Sequence, residues 1–423
     1  MNIQKPLAIG ETFSQNKDGM TTCQTPSSLN GITGKLQACV QLSLKIIICL
    51  LLFYSSLPAQ EFSGYVSAMP SLITQQPVND TWWQMLVHKR LNFNWQMTEH
   101  LRIDAGIRNR LITGSEAMLD SKSTSADMGW IDMSWNSYEG KRALINISLD
   151  RLYVTFEKDK WKLQTGRQRI NWGQTFVWNP NDIFNTYSFF DFDYPERSGC
   201  DAFRGTYYHN ETSSSELAVS VNHDKKITAA LLHRWNNNNI DYQFIIGEQS
   251  EIDLVIGAAL TKDFSGLNLR SEISYFHPYL TDKNKIVAIS VGADYIFSNS
   301  LMLQSEILYS NVGKTFLGSG LMDLYDAPLS AKYLSICDWN IFANVSYPIT
   351  PRLNGSLSVM YFVGIHAYYT GLSFDYSVIE NLDFSLIAQY FFTSQNKMLI
   401  GSPGPQSNDM VIILGFARLK YSF

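Results

Sequence analysis

The sequence is poor in charge and has no long apolar run, and each shortage excludes a class of protein. Only 17% of the 423 residues are charged, against roughly 25% in soluble domains, which argues against an ordinary cytosolic enzyme. A helical membrane protein needs several apolar runs of about 18 residues, and the one run worth naming, 46–54, is shorter. The 45% hydrophobic and 13% aromatic content excludes a disordered chain. The formal net charge of −5 gives no reason to expect nucleic acid as a partner.

The first 59 residues carry a predicted targeting segment. Lys45 precedes the apolar core 46–54, and a stretch with small residues ends near Ala59. These three parts are typical of a secretory signal peptide. The alternative is a first membrane helix, but an apolar core this short spans only about half of a bilayer. We therefore predict that 1–59 is a polar leader plus signal peptide that is removed, and that 60–423 is a single domain.

Cysteine and the common site motifs are also scarce. Beyond residue 59 only Cys200 and Cys337 remain, and we expect both to be free because they do not make a disulfide framework. No Cys/His spacing suggests zinc, and no Gly-rich loop connects a strand to a helix. We therefore expect no metal and no cofactor.

Alternation of apolar and polar residues recurs through 60–423. In 382–392, Leu382 and Phe384 alternate with Asp383 and Ser385. The same pattern occurs in 101–112, 267–276 and 337–347. A period of two indicates strands with one apolar and one polar face.

A soluble β-sandwich would show the same alternation, but three features favour a transmembrane β-barrel. The strands run about 9–13 residues, whereas soluble strands average about five or six. Aromatic residues gather at strand ends, and short links alternate with long ones. The long links are 113–142, 172–199, 312–335 and 394–409. Because lipid satisfies no backbone hydrogen bonds, a sheet can span a bilayer only if it closes.

The pattern predicts an all-β, antiparallel up-and-down barrel of eighteen strands, with sixteen as the fallback. An even count places both termini at the end with the short, periplasmic turns. The apolar phase flips near Asp150-Arg151, which indicates a bulge. The chain ends on Phe423 with alternate apolar positions before it, which resembles the insertion signal of bacterial outer-membrane proteins. That resemblance implies the outer membrane as the location, with lipid and the barrel-assembly machinery as partners.

A barrel of this size leaves an aqueous lumen, and the polar phases supply candidates to line it. In the simpler interpretation, opposite charges on this wall neutralise one another. In the alternative, clustered arginines form an electropositive lane that concentrates small polar or anionic solutes. The candidates are Arg90, Arg102, Arg108, Arg110, Arg270, Glu272 and Glu306.

The segment 165–205 is the most informative stretch of the chain. Strand 161–171 is polar on both faces, so part of it is expected above the bilayer or under a covering loop. The loop 172–199 has 28 residues and nine aromatics, and long loops of this kind are usually functional. We predict that it enters and narrows the lumen; alternatively, its charges only pin the loop. The candidates are Arg167, Arg169, Asn171, Trp172, Trp178, Asn179, Asp182, Asp191, Asp193, Glu196, Arg197 and Arg204.

The same segment carries a family resemblance. Gly166-Arg167-Gln168, Asn171-Trp172-Gly173, Asn179-Pro180-Asn181-Asp182 and Glu196-Arg197 resemble the porin-like, alginate-export-related barrels of Gram-negative bacteria, particularly Bacteroidetes-type members. The resemblance implies a monomeric channel for an anionic polymer or a sugar. The chain lacks the wider arginine array expected of a dedicated alginate exporter.

These patterns predict a porin-like channel for passive or facilitated passage of small polar or anionic solutes, saccharides among them. An exporter of an anionic polysaccharide is an alternative within the same class. A structural or adhesive barrel and an outer-membrane hydrolase are alternatives from other classes. We expect no enzyme, because no GxSxG or HExxH spacing frames any of the seven histidines.

Overall fold

In the computed structural model the chain forms one antiparallel sheet. The structure describes residues 60–76, 80–115, 126–187, 189, 196–280, 284–312, 330–393 and 409–423. The leader predicted over 1–59 lies outside the described residues. No helix in these ranges is long and apolar enough to cross a membrane.

Nineteen strands account for most of the described chain, and their order follows the sequence. They are β1 Gln60–Gln76, β2 Asp80–Gln96, β3 Leu101–Gly114, β4 Ser134–Glu139, β5 Ala143–Lys158, β6 Trp161–Gln168, β7 Cys200–Asn210, β8 Ser213–Val221, β9 Ile227–Asn237, β10 Ile240–Gln249, β11 Asp253–Phe264, β12 Leu267–Pro278, β13 Ile286–Ile296, β14 Met302–Ser310, β15 Trp339–Thr350, β16 Leu353–Phe362, β17 Ala367–Ile379, β18 Leu382–Thr393 and β19 Met410–Ser422.

Eighteen of these strands close into a barrel. Each pairs with its neighbours in sequence, β3 pairs directly with β5, and β1 pairs with both β2 and β19. In the β3–β5 pair, Gly106 lies opposite Arg151 and Ile107 opposite Leu149, so Asp150 is the extra residue of a bulge. The eighteen-strand barrel and the bulge are both confirmed.

Alternate residues of each strand face opposite environments. On β12, Ile273 is 42% exposed, whereas its neighbours Glu272 and Ser274 are buried. The exposed apolar side chains form the outer face, and aromatic contacts lie on that face near both ends of the strands. Examples are Trp161 with Tyr207, Trp235 with Tyr242, Tyr309 with Trp339 and Tyr361 with Tyr368. An apolar band between two aromatic belts is the outer surface of a transmembrane barrel.

The strand predicted over 161–171 is shorter than expected. β6 ends at Gln168, and β4 pairs with Leu144–Ser148 of β5 on the edge that β6 leaves open. β4 lies inside 113–142, which was predicted to be a long link, so this strand was not predicted. The segment 126–139 thus replaces the missing upper part of the wall, with Gly129 bridging to Asn222 near β8.

The expectation of one apolar and one polar face on each strand was wrong at the long-loop end. There the inward positions carry an apolar cluster that includes Met360, Phe362, Phe391 and Ile412, all at most 3% exposed. These side chains are buried because Leu334, Ile336, Val177 and Trp178 belong to the same cluster. The inward face is polar below this cluster, toward the short turns.

Candidate channel constriction

Residues 169–187, here called the inner segment, begin where β6 leaves the barrel wall. Gly166 has a φ of +115°, and a Cβ at this position would lie 2.3 Å from the carbonyl oxygen of Leu152. Only glycine tolerates both the left-handed backbone and this close approach. Gly166 thus allows the close approach of β6 to β5 just before the chain leaves the wall.

Glu272 on β12 binds the backbone of the inner segment. Its Oε1 accepts hydrogen bonds from the amides of Gln174 and Thr175, the latter at 2.7 Å, and from the Thr175 hydroxyl at 3.0 Å. Its Oε2 accepts the Asn181 amide at 3.0 Å. The side chain is 1% exposed, so these donors take the place of water around the carboxylate.

Glu306 on β14 forms a second anchor of the same kind. Its Oε2 accepts the amides of Phe176 and Val177 at 2.8 and 2.9 Å. Its Oε1 accepts the amide of Trp178 at 2.8 Å and the hydroxyl of Ser290 at 2.7 Å. Three successive backbone N–H groups around one carboxylate form an anion-binding concavity, and each charge-assisted bond contributes about 1.5–3 kcal/mol.

Trp172 fixes the start of the inner segment against the wall of β8 and β10. Its indole Nε1 donates to Glu216 Oε1 at 2.6 Å, and its carbonyl oxygen accepts from Gln243 Nε2 at 2.8 Å. The side chain is fully buried in an apolar cluster with Ile170 and Ile183. Both polar and apolar contacts therefore hold the segment on the inward face of the barrel.

Asp182 is buried within the inner segment. Its Oδ1 accepts the Trp172 amide at 3.4 Å, and Thr186 Oγ1 donates to its carbonyl oxygen at 2.7 Å. Burial raises the pKa of Asp182 from 3.8 to about 7, and the Trp172 amide offsets only part of that rise. The folded protein therefore binds a proton here between pH about 4 and 7 that the unfolded chain releases.

The inner segment should accordingly dock more weakly as the pH rises through this window, because the proton on Asp182 stabilises only the docked, native state. We expect faster hydrogen–deuterium exchange of peptides covering 169–187 at about pH 8 than at about pH 5, after correction for intrinsic rates. Asp182→Asn should reduce this difference. An unchanged pH dependence in the Asn variant would contradict the assignment.

Arg167 lies on the outer side of the barrel wall. It pairs with Leu152 and Asp201, and the next outward residue of β7, Phe203, is 45% exposed. Its guanidinium binds Asp201 at 2.7 Å and Asp127 at 2.5 Å, beneath the segment 126–131. Arg167 therefore joins the covering segment to the wall and does not face the lumen, which is the covered position predicted for part of this strand.

Arg167→Met should destabilise the barrel by about 3–5 kcal/mol, because it leaves two buried carboxylates without their cation. Denaturant unfolding followed by tryptophan fluorescence measures this loss. Arg102→Met is the matched control, because the Arg102–Asp104 pair is partly exposed and should contribute at most about 1 kcal/mol. Equal losses in the two variants would refute the structural role of Arg167.

Basic side chains line the wall formed by β2, β3 and β5. Arg90 pairs with Asp150 at 2.6 Å, and both are almost fully buried. Arg108 donates to Ser148 and Arg110 to Asn146, so neither of these bonds neutralises the arginine charge. Three arginines from two neighbouring strands therefore lie close together on the inward face, with Arg90 directly opposite Arg108.

A second basic group gathers around Tyr187 of the inner segment. The guanidinium carbons of Arg197 and Arg169 lie 4.1 and 5.7 Å from the centre of its ring. Arg151 donates to the carbonyl oxygens of Glu196 and Arg197. Arginines from the wall and from the segment therefore meet at the same place.

The remaining predicted residues differ in their position and in their contacts. Arg204 pairs with Glu216 at 2.7 Å, and Arg270 pairs with Asp294 at 3.3 Å while covering the Phe176 ring. Trp178 and Asn179 are buried in the inner segment, Asn171 is exposed, and the Glu196 carboxylate accepts from Tyr65. Asp191 and Asp193 lie outside the described residues.

Several residues that hold the inner segment, or that pair with Arg90 and Arg167, are not among the predicted candidates. They are Asp127, Asp150, Glu216, Gln243, Ser274 and Ser290. Each is a single polar residue in an alternating strand or a loop, which is also what a solvated wall would show. Within the described ranges, no cluster of His, Cys, Asp or Glu could hold a metal ion.

Comparison with known proteins identifies the fold. No protein-family model and no curated protein matches the chain. OccK11 (OpdR) of Pseudomonas aeruginosa matches with a TM-score of 0.52 and 9% identity over 86% of this chain and 96% of its own. OccAB4 of Acinetobacter baumannii matches with a TM-score of 0.51 and 11% identity over 86% of this chain and 99% of its own. OccK5 (OpdH) of P. aeruginosa matches with a TM-score of 0.52 and 9% identity over 86% of this chain and 98% of its own.

These matched structures are outer-membrane porins. They support the porin-like part of the resemblance seen in the sequence, but not its alginate-related or Bacteroidetes-type part. The sheet of this chain closes on itself and presents an apolar outer band, as a sheet that spans lipid must. The chain is therefore a bacterial outer-membrane β-barrel with a porin-like fold.

Proposed function

We propose that the protein is a channel for passive or facilitated passage of small polar or anionic solutes, narrowed by the segment 172–199. The observation that carries the proposal is the double anchoring of the inner segment by Glu272 and Glu306. A loop that only covered the barrel from outside would have no use for two buried carboxylates on inward-facing strands. A fixed inward segment restricts solutes by size and by the side chains that it presents.

Permeation by neutral and charged solutes is the experiment that tests the channel. The full chain, expressed with its own leader and purified from outer membranes, is reconstituted into liposomes for a swelling assay. We expect swelling with small sugars and amino acids that falls steeply as solute size increases. Liposomes that swell no faster than protein-free ones would exclude a channel.

The basic wall of β2, β3 and β5 supports the electropositive lane. Arg108 and Arg110 occupy successive inward positions of β3, opposite Arg90 and His88 of β2, and hydrogen bonds to Ser148 and Asn146 orient their side chains. Fixed cations in a narrow lumen attract anions even when the net charge of the protein is negative.

Neutralising this lane should reduce anion permeability. We expect Arg108→Gln/Arg110→Gln to shift the reversal potential in a salt gradient toward cation selectivity, most strongly at low ionic strength, where screening is weak. Arg352→Gln, in an exposed short turn, is the matched control and should have no effect. The same reversal potential in the double variant and the wild type would remove the lane from the proposal.

Two further parts of the proposal concern assembly. The backbone of Phe423 bonds reciprocally with Gly64 at 2.9 Å, which seals the junction between the last strand and the first. We infer that Phe423 and the alternate apolar residues before it present the barrel to its assembly machinery. The closed single-chain barrel supports a monomeric channel.

A further inference from the structure

The inward wall formed by β14–β19 differs chemically from the basic wall. A cavity of about 550 Å³ lies between this wall and the inner segment. It is lined by Gln304, Asn344, Ser356, Ser358, Ser373 and Gln389, with Phe176 and Val177 of the inner segment on the other side. Its volume falls within the ~300–1,000 Å³ typical of small-molecule sites.

The polar groups of the cavity are connected and almost all uncharged. Asn344 donates from Nδ2 to Gln304 at 3.1 Å and accepts at Oδ1 from the hydroxyl of Ser358 at 2.9 Å. The hydroxyls of Ser356 and Ser373 lie 2.9 Å apart. A side-chain amide carries two N–H donors and an acceptor oxygen. The hydrogen-bonded network therefore fixes the orientation of the Asn344 and Gln304 amides and leaves further N–H donors to bind a ligand.

Two charged residues, Arg418 and Asp375, also line the cavity, and their opposite charges offset each other. Arg418 lies 4.0 Å from Asp375, and both interact with the hydroxyl of Ser385. On β3, by contrast, the two arginines Arg108 and Arg110 lie at adjacent inward positions. An anion would therefore gain little Coulomb energy here, and a neutral solute would not have to displace a counter-ion.

Aromatic side chains form the other boundary of the cavity. Phe342 and Tyr369 line it from β15 and β17, and Phe189 packs against both rings at 5.2 and 6.1 Å between centroids. The guanidinium carbon of Arg270 lies 4.6 Å from the centre of the Phe176 ring. The cavity therefore combines a rigid apolar boundary with a wall of paired donors and acceptors.

We propose that this cavity is a binding subsite for a neutral saccharide of one or two rings. A sugar ring has an apolar C–H face, which matches the aromatic boundary, and adjacent hydroxyls that donate and accept, which match the amides and serines. The inference rests on the channel function proposed above and names the solute class that the β14–β19 wall selects. The basic wall would then serve a different, anionic class.

The test uses the full chain purified from outer membranes, recorded as single channels in planar bilayers. Maltose added to the bath should interrupt the ionic current in a concentration-dependent, saturable way. Asn344→Leu/Gln389→Leu should weaken this apparent affinity about tenfold or more, because a site built to bond hydroxyls loses its partners. Asn94→Leu, at an inward position of β2 outside this cavity, is the matched control and should bind maltose as the wild type does.

Folding of each variant is checked by heat-modifiable mobility and by the salt conductance. If Asn344→Leu/Gln389→Leu fails to fold, Ser373→Ala is a milder variant of the same cavity. A conducting wild type that maltose does not block saturably would overturn the subsite while leaving the channel intact. Succinate that blocks as tightly as maltose, and weakens equally in the Leu variant, would also overturn it. Absence of any conductance would instead refute the proposed function.

Discussion

Replacing residues 174–183 with a short Gly-Ser linker is expected to raise the single-channel conductance several-fold. These residues lie on the inward face and are fixed there by Glu272 and Glu306. Conductance of a narrow pore is limited by its tightest section, so removing the section that projects inward should have a larger effect than any wall substitution. Single-channel recording in a planar bilayer measures it directly.

The control for this variant is a measurement that the barrel still folds. Heat-modifiable mobility should remain, because the eighteen strands pair without help from residues 174–183. A folded variant with unchanged conductance would mean that the inner segment does not narrow the channel.

Removing the two anchors together should reproduce much of that increase without shortening the chain. Glu272→Ala/Glu306→Ala leaves the backbone N–H groups of Thr175, Asn181 and Val177 among those without acceptors, and each unsatisfied group costs about 1–3 kcal/mol. The inner segment should then undock, and the current should become larger and noisier. Glu272→Gln/Glu306→Gln keeps an acceptor oxygen at each site and should have a smaller effect.

The two changes should also be coupled. In the variant that lacks 174–183, the Glu→Ala pair should add almost nothing to the conductance, since the groups that it anchors are gone. Additive effects would show that Glu272 and Glu306 act on the channel by some route other than the inner segment.

Most of the barrel could be predicted because period-two alternation depends only on which face meets lipid. Even the bulge at Asp150 is visible as a flip of the apolar phase. β4 could not be predicted, because its pairing depends on β6 ending early at Gln168. The apolar inward cluster was missed because the segments that cover it, such as 334–337, lie far away in sequence.

The candidate site was predicted in location but not in its contacts. The length and aromatic content of 172–199 indicate an inward segment, yet the bonds that hold it join Glu306 to residues about 130 positions away. Nothing local distinguishes Glu272 or Glu306 from a solvated wall residue. Arg167 was a lumen candidate for a related reason: β6 is polar on both faces, so alternation does not reveal which face turns outward.

Single-channel recording of the wild-type protein beside the variant lacking 174–183 shows directly whether the protein is a channel that the inner segment narrows. We expect discrete, small conductance steps in the wild type and steps several-fold larger in the variant, both from heat-modifiable barrels. A wild type without discrete conductance, or two proteins of equal conductance, would contradict it.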